Sequence, residues 1–170
     1  ATSSMTMKLP IPCKSVHDIY EITPEFLRSQ GVRVLLMDLD NTLSPYSVDT
    51  ATPELKQWIQ RMKDGGVLPF LFSNSKTDRP LWFSQQLDID YVKLAKKPRQ
   101  GMLRRVLEQL QVSPEETAIV GDQIYTDVLC GSLGGLYTIV VRPIKLENPL
   151  HTLRYGAEFP FRMLHKVVRK

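Results

Sequence analysis

Arg33-Val34-Leu35-Leu36-Met37-Asp38-Leu39-Asp40-Asn41-Thr42 is the stretch that decides the fold. Val34 to Met37 is an unbroken apolar run, the pattern of a strand covered on both faces in the middle of a parallel sheet, and it predicts a strand over 33–38. Two carboxylates, two positions apart, close that strand where burial without a partner or a metal is costly. Stability gives no reason for placing Asp38 and Asp40 at the mouth of a core strand, so chemistry is the first expectation.

Outward from this strand, helical and extended patterns alternate. Thr23 with Pro24, ending at Gly31, predicts a short capped helix before it. Thr52-Pro53 opens a second helix, with Leu55, Trp58, Ile59 and Met62 on one face and Gly65-Gly66 at its end. Val67 to Phe72 reads as a strand stopping at Ser73-Asn74-Ser75, followed by a helix over 79–87 and a short strand over 91–94. Pro98 precedes an amphipathic helix carrying Met102, Leu103, Val106, Leu107 and Leu110. Thr117 to Val120 is a strand ending in Gly121-Asp122, 128–133 a small helix, and Leu136 to Val141 a last core strand. The alternation predicts an α/β fold, a Rossmann-like three-layer α/β/α arrangement with a mainly parallel sheet. Ligands of such sheets sit beyond the carboxyl ends of the strands. Asp38 and Asp40, Ser73, and Asp122 all fall there, which predicts one shared site.

The length of 170 residues fits a single domain over 1–170, with 1–15 read as a flexible end and 149–170 as a basic, helical C-terminal segment. Hydrophobic residues make up 42% and charged residues 24%, values that place the chain among globular proteins and away from disordered ones. No apolar run is long enough to span a bilayer, and residues 1–15 lack the apolar core of a secretory signal, so secretion is not expected. Cys13 and Cys130 give no disulfide framework. Seven Lys/Arg and two acids lie between Arg142 and Lys170, a net +5, against −1 for the rest of the chain. That asymmetry suggests an anionic surface as partner. His17, His151 and His165 show no ligand-like spacing and read as structural or surface residues.

Four short motifs, in order, resemble the haloacid-dehalogenase-like (HAD) phosphatases: Asp38-Leu39-Asp40-Asn41-Thr42, Ser73, Lys96-Lys97-Pro98, and Gly121-Asp122 with Asp127. The resemblance covers residues 30–142. It implies Asp38 as the nucleophile and Asp40 as the acid that protonates the leaving oxygen and later the base that activates water. It implies Mg²⁺, held by Asp38, the backbone carbonyl of Asp40, and Asp122, an all-oxygen set that suits that ion. Ser73 is then the hydrogen-bond donor to a phosphoryl oxygen, with Asn74 a further candidate contact. Lys97 neutralises charge between nucleophile and phosphate, with Lys96 the competing lysine. Asp127 orients Lys97 or a metal-bound water, and Thr42 fixes the loop and is a candidate substrate contact.

Many relatives insert a cap domain after the nucleophile or between the Ser73 and lysine positions. Here only a loop and one helix separate Asp40 from Ser73, and only a helix and a short strand separate Ser73 from Lys97. The site is therefore expected to be uncapped, which suits phosphate carried on something large. Together with Gly121-Asp122-Gln123-Ile124-Tyr125-Thr126-Asp127 these features resemble the YqeG-type, subfamily IIIA branch. That branch is similar to the mitochondrial and plastid phosphatidylglycerophosphate phosphatases, so the resemblance implies a phospholipid head group as substrate. Phe161, Leu164, Val167 and Val168, set among basic residues, offer either a peripheral contact with an anionic membrane or a stripe packed on the domain.

The expected location is cytoplasmic or peripheral on the inner face of a membrane, and the mitochondrial matrix or plastid if the source is eukaryotic. No nucleic-acid partner is expected, and oligomeric state is not legible. Two alternatives stand beside the lipid reading: a phosphatase of a soluble metabolite or phosphoprotein, and a receiver-like phospho-acceptor domain. Asp40 separates the last of these, because a base two positions beyond the nucleophile makes phosphorylation transient. Residues 30–37 also lack the acids a receiver uses for its metal.

Overall fold

In the computed structural model, which describes residues 10–144 together with 157, 158 and 161, the apolar run of the opening stretch is strand β2 (Val34–Met37), buried at every position. It lies inside a six-stranded sheet with β1 (Lys14–Val16), β3 (Leu68–Phe72), β4 (Tyr91–Val92), β5 (Thr117–Gly121) and β6 (Tyr137–Val141), in the order β1-β6-β5-β2-β3-β4. Every pairing is parallel. Successive side chains of β2 point to opposite faces, so Leu35 and Met37 enter one core and Val34 and Leu36 the other.

The first core is covered by α1 (Pro24–Ser29), α2 (Pro53–Asp64) and α3 (Arg79–Leu87), through Leu27, Leu55, Trp58, Ile59 and Phe83. The second is covered by α4 (Gly101–Leu110) and α5 (Leu129–Gly134), through Leu103, Val106, Leu107 and Cys130. The expected three layers are present. The predicted caps form as well: Thr23 Oγ1 accepts from Phe26 N at 3.1 Å, and Thr52 Oγ1 from Leu55 N at 3.1 Å. From β2 the chain runs outward through β3 to β4, then returns to build β5 and β6 on the other side. The order reverses between β2 and β5, and there the crevice of such a sheet opens.

Several boundaries differ from the sequence expectation, among them the starts of β3 and β6, each one residue later than expected. Lys14 and Ser15 were placed in a flexible end, yet β1 pairs with β6 (Lys14↔Ile139), and Cys13 N donates to Thr138 Oγ1 at 2.9 Å. Three residues are too few to show an alternating pattern. β4 ends at Val92 because Leu94 turns to φ 55 and leaves the sheet. A π-helical turn, Ile124–Val128, precedes α5, which begins at Leu129 and not at Val128. Residues 33 and 38 flank β2 and still continue its ladder, with Asp38 N donating to Val120 O at 3.0 Å. Of the basic C-terminal segment, Arg162, Lys166, Arg169, Lys170 and the apolar Leu164, Val167 and Val168 lie outside the described residues; Phe161 packs against Tyr125 with ring centroids 5.7 Å apart.

Candidate active site

The loop leaving β2 folds tightly on itself. Asn41 adopts φ 57, a left-handed conformation that Asn tolerates, and its N–H donates to Ser44 O at 2.8 Å while Leu43 N donates to Leu39 O at 3.0 Å. With Leu39 fully buried as an anchor, Asp38 and Asp40 both reach the wall of a cavity of about 420 Å³ at the carboxyl ends of the strands. Thr42 Oγ1 lies 3.2 Å from Asp122 Oδ1 and 3.5 Å from Asp38 Oδ2. It thus ties the ends of β2 and β5 together.

Lys97, and not Lys96, is the lysine of this site. Its Nζ stands 3.3 Å from Asp38 Oδ1 and 2.5 Å from Asp127 Oδ1, with the side chain almost wholly removed from water; Lys96 is exposed. Asn74 stands on the cavity wall and also clasps the lysine. It spends both polar atoms on the lysine backbone, Nδ2 donating to Lys97 O at 3.1 Å and Oδ1 accepting from Lys97 N at 2.8 Å. Ser73, buried at the end of β3, accepts from Ser75 N at 3.1 Å, a bond that leaves its own hydroxyl proton free to donate.

Carboxylate oxygens of Asp38, Asp122 and Asp127 lie within 4.8 Å of one another, all buried. Burial pushes Asp122 well above the ordinary carboxylate range, and the nearby Asp38 charge adds to this. Burial likewise lifts Asp127 to about 7, against the ammonium of Lys97, which lowers it. Asp127 and Asp38 hold Lys97 protonated, raising its pKa in spite of burial. Three acids around one ammonium leave a surplus of buried negative charge, relieved by a proton or by a cation. An all-oxygen donor set fits a hard divalent cation better than a soft one.

Asp127 reaches this place because residue 121 is glycine. A Cβ there would stand 2.0 Å from Asp127 Oδ2 and 2.1 Å from its Cγ. Gly121→Ala is expected to cost about 1–3 kcal/mol in urea unfolding. It should lower turnover as well, because the closest partner of Lys97 is displaced.

Arg79 was not foreseen in the sequence. At the start of α3 and only 7% exposed, it donates from Nε to Asp40 Oδ1 at 3.0 Å, from Nη1 to Asp49 Oδ1 at 3.0 Å and from Nη2 to Pro45 O at 3.1 Å. Burial raises the Asp40 pKa, the Asp38 charge raises it further, and Arg79 opposes both. A signal was available: the first turn of a helix favours acids, so an arginine there has some other reason to stay. His17 is exposed, and His151 and His165 lie outside the described residues.

Three comparisons bear on this geometry. The family model described as "HAD-hyrolase-like" matches residues 94–143. The chain is 34% identical over 166 residues to "Probable phosphatase YqeG" of Bacillus subtilis, covering 98% of this chain and 96% of that protein. The chain belongs to the HAD-like phosphatases. Within them it is also 24% identical to phosphatidylglycerophosphate phosphatase 1, chloroplastic/mitochondrial, of Arabidopsis thaliana, over 94% of this chain but only 49% of that protein. The crystal structure of 3-deoxy-D-manno-octulosonate 8-phosphate phosphatase from Yersinia pestis superposes with a TM-score of 0.53 at 14% identity, covering 76% of this chain and 72% of that one, a likeness of fold. As a HAD-like phosphatase the chain is an enzyme, which sets the receiver reading aside. Among the described residues the sheet carries no cap: α2 alone lies between Asp40 and β3, and α3 and β4 alone lie between Ser73 and Lys97. No helix among the described residues is long and apolar enough to cross a membrane.

Proposed function

We propose that this HAD-like phosphatase is an Mg²⁺-dependent phosphomonoesterase that carries the phosphoryl group on Asp38 and acts on phosphatidylglycerophosphate. The observation that carries the reaction is the pairing at the strand ends, with the Asp38 carboxylate 3.3 Å from the Lys97 ammonium and Asp40 held separately by Arg79 at 3.0 Å. An Asp38 oxygen attacks phosphorus while the ester P–O bond breaks, and Asp40 gives its proton to the departing oxygen. Water then attacks the same phosphorus, the bond to Asp38 breaks, and Asp40 recovers a proton. Lys97 and the Ser73 hydroxyl hold the phosphoryl oxygens, and Asp127 holds Lys97. Asp38, Asp122 and the backbone carbonyl of Asp40 would hold Mg²⁺, which supplies the positive charge a carboxylate needs to approach a phosphate.

For the substrate, support comes from the likeness to the plant phosphatidylglycerophosphate phosphatase across 94% of this chain and from a cavity with no cap domain among the described residues. Phosphate release should be measured from phosphatidylglycerophosphate, from an aryl phosphate and from glycerol 3-phosphate, each with Mg²⁺ or EDTA. Preference for the lipid, lost in EDTA, is the expected result. Turnover of glycerol 3-phosphate with none of the lipid would overturn the substrate, and full activity in EDTA would overturn the metal.

The metal has a second readout, thermal stability against pH. Asp122 and Asp127 have folded pKa values above their ordinary one, Asp127 at about 7. Between about pH 4 and 7 the folded state therefore holds a proton on Asp127 that the unfolded state has released, and Asp122 acts in the same direction. The stability Asp127 contributes is complete at low pH and is lost as pH rises through about 7. In EDTA the Tm should fall from pH 5.5 to pH 8, by about 2–4 °C for each kcal/mol lost. Mg²⁺ binds the deprotonated acids and should raise the Tm more at pH 8 than at pH 5.5.

A further inference from the structure

The loops after β3 and β4 form one shoulder of the open cavity. Leu94 N donates to Ser75 O at 3.1 Å, and Asn74 grips the Lys97 backbone, so the two loops are joined. With the first turn of α3, residues 73–82 and 93–100 carry Lys76, Asp78, Arg79, Lys93, Lys96, Lys97 and Arg99 as their charged groups. Arg79 and Lys97 serve the catalytic carboxylates, and Lys93 neutralises Asp78 at 3.0 Å. Lys76, Lys96 and Arg99 are exposed, and none makes an ion pair among the described residues. Lys76 also lines the cavity that holds Asp38.

Two large apolar side chains stand among these cations. Leu94 is 41% exposed although its backbone sits at φ 55, a region a branched residue rarely adopts. Trp82 is 44% exposed and lies one helical turn beyond Asp78, on the same side of α3. A strained loop that presents leucine to water gains nothing from its own core. Unpaired cations beside an exposed Trp and Leu match a bilayer interface, where the charges meet anionic head groups and the apolar groups enter the acyl boundary.

We propose that this shoulder, built from Leu94, Trp82, Lys76, Lys96 and Arg99, docks the enzyme on an anionic lipid bilayer with the cavity mouth against the head groups. The proposal rests on the phospholipid reading of the site and names the surface that would serve it.

The chain carries its own probe. Of its two tryptophans, Trp58 is 1% exposed and donates from Nε1 to Ile22 O at 2.9 Å, so only Trp82 can meet lipid. The chain should be mixed with phosphatidylcholine vesicles bearing brominated acyl chains, with and without phosphatidylglycerol. Quenching and a blue shift of the emission with the anionic vesicles alone are expected, both lost in Trp82→Phe. Leu94→Ser combined with Arg99→Gln should weaken vesicle binding by about tenfold or more while release of phosphate from an aryl ester stays unchanged. Binding without quenching, equal binding to neutral vesicles, or a double variant that binds as the parent does would each overturn the proposal. Docking without phosphate release from phosphatidylglycerophosphate would overturn the substrate instead. Hydrolysis of that lipid in micelles by a chain that does not dock would overturn the docking alone.

Discussion

Asp38→Asn should abolish phosphate release from every ester, by about 10⁴-fold or more, while the folded chain persists. The amide fills the same space at the end of β2 but cannot attack phosphorus. It also removes one of the three acids that crowd within 4.8 Å, so the variant is expected to unfold at the same temperature as the parent or higher when metal is absent. Loss of turnover without loss of stability is the signature of a nucleophile. Activity kept within tenfold would show that phosphate never passes through this carboxylate. A stopped-flow quench with labelled substrate adds a direct reading: acid-stable, hydroxylamine-labile label on the parent chain and none on the variant.

Arg79→Gln should act through Asp40, and its effect should depend on the leaving group. Asp40 is needed as an acid when the departing oxygen is a poor leaving group and hardly at all when it is a good one. Arg79 places Asp40 by one bond of 3.0 Å and anchors it to the 45–49 loop through Pro45 O and Asp49. Turnover of alkyl phosphates is expected to fall about 10²–10³-fold and that of a nitrophenyl phosphate less than tenfold. Asp40→Asn should show the same split, more steeply. A uniform loss across leaving groups would make Arg79 a structural strut only. Truncating one partner of a buried pair is itself costly, so urea unfolding of Arg79→Gln and Arg79→Lys should accompany the kinetics, with Lys restoring part of the alkyl-phosphate rate.

The sheet was legible wherever a strand was long and apolar enough to declare itself. Val34–Met37, Leu68–Phe72 and Thr117–Gly121 are apolar or small-residue runs, and the helices between them carry a clear buried stripe, with a Thr52 cap on α2. β1 was not legible because Lys14-Ser15-Val16 becomes a strand only through its neighbour β6. The acids and Lys97 were found because their chemistry is written in residue type and in position after a strand. Arg79 and the clasp of Asn74 on Lys97 were not, because each depends on a partner tens of positions away: Asp40 for one, the Lys97 peptide for the other. Local sequence announces which groups can react, whereas the groups that aim them are fixed by tertiary contacts.

The absence of a cap between β2 and α4 also governs how this enzyme would keep time. An enzyme with a lid spends part of each cycle opening it, and its rate answers to how much substrate the solution holds. A bare cavity pressed to a surface has no such step. Its search becomes two-dimensional, so that velocity follows the fraction of surface molecules bearing the phosphate and not their bulk amount. Diluting the target among inert lipids, at constant total target, should slow such a catalyst as surely as removing it.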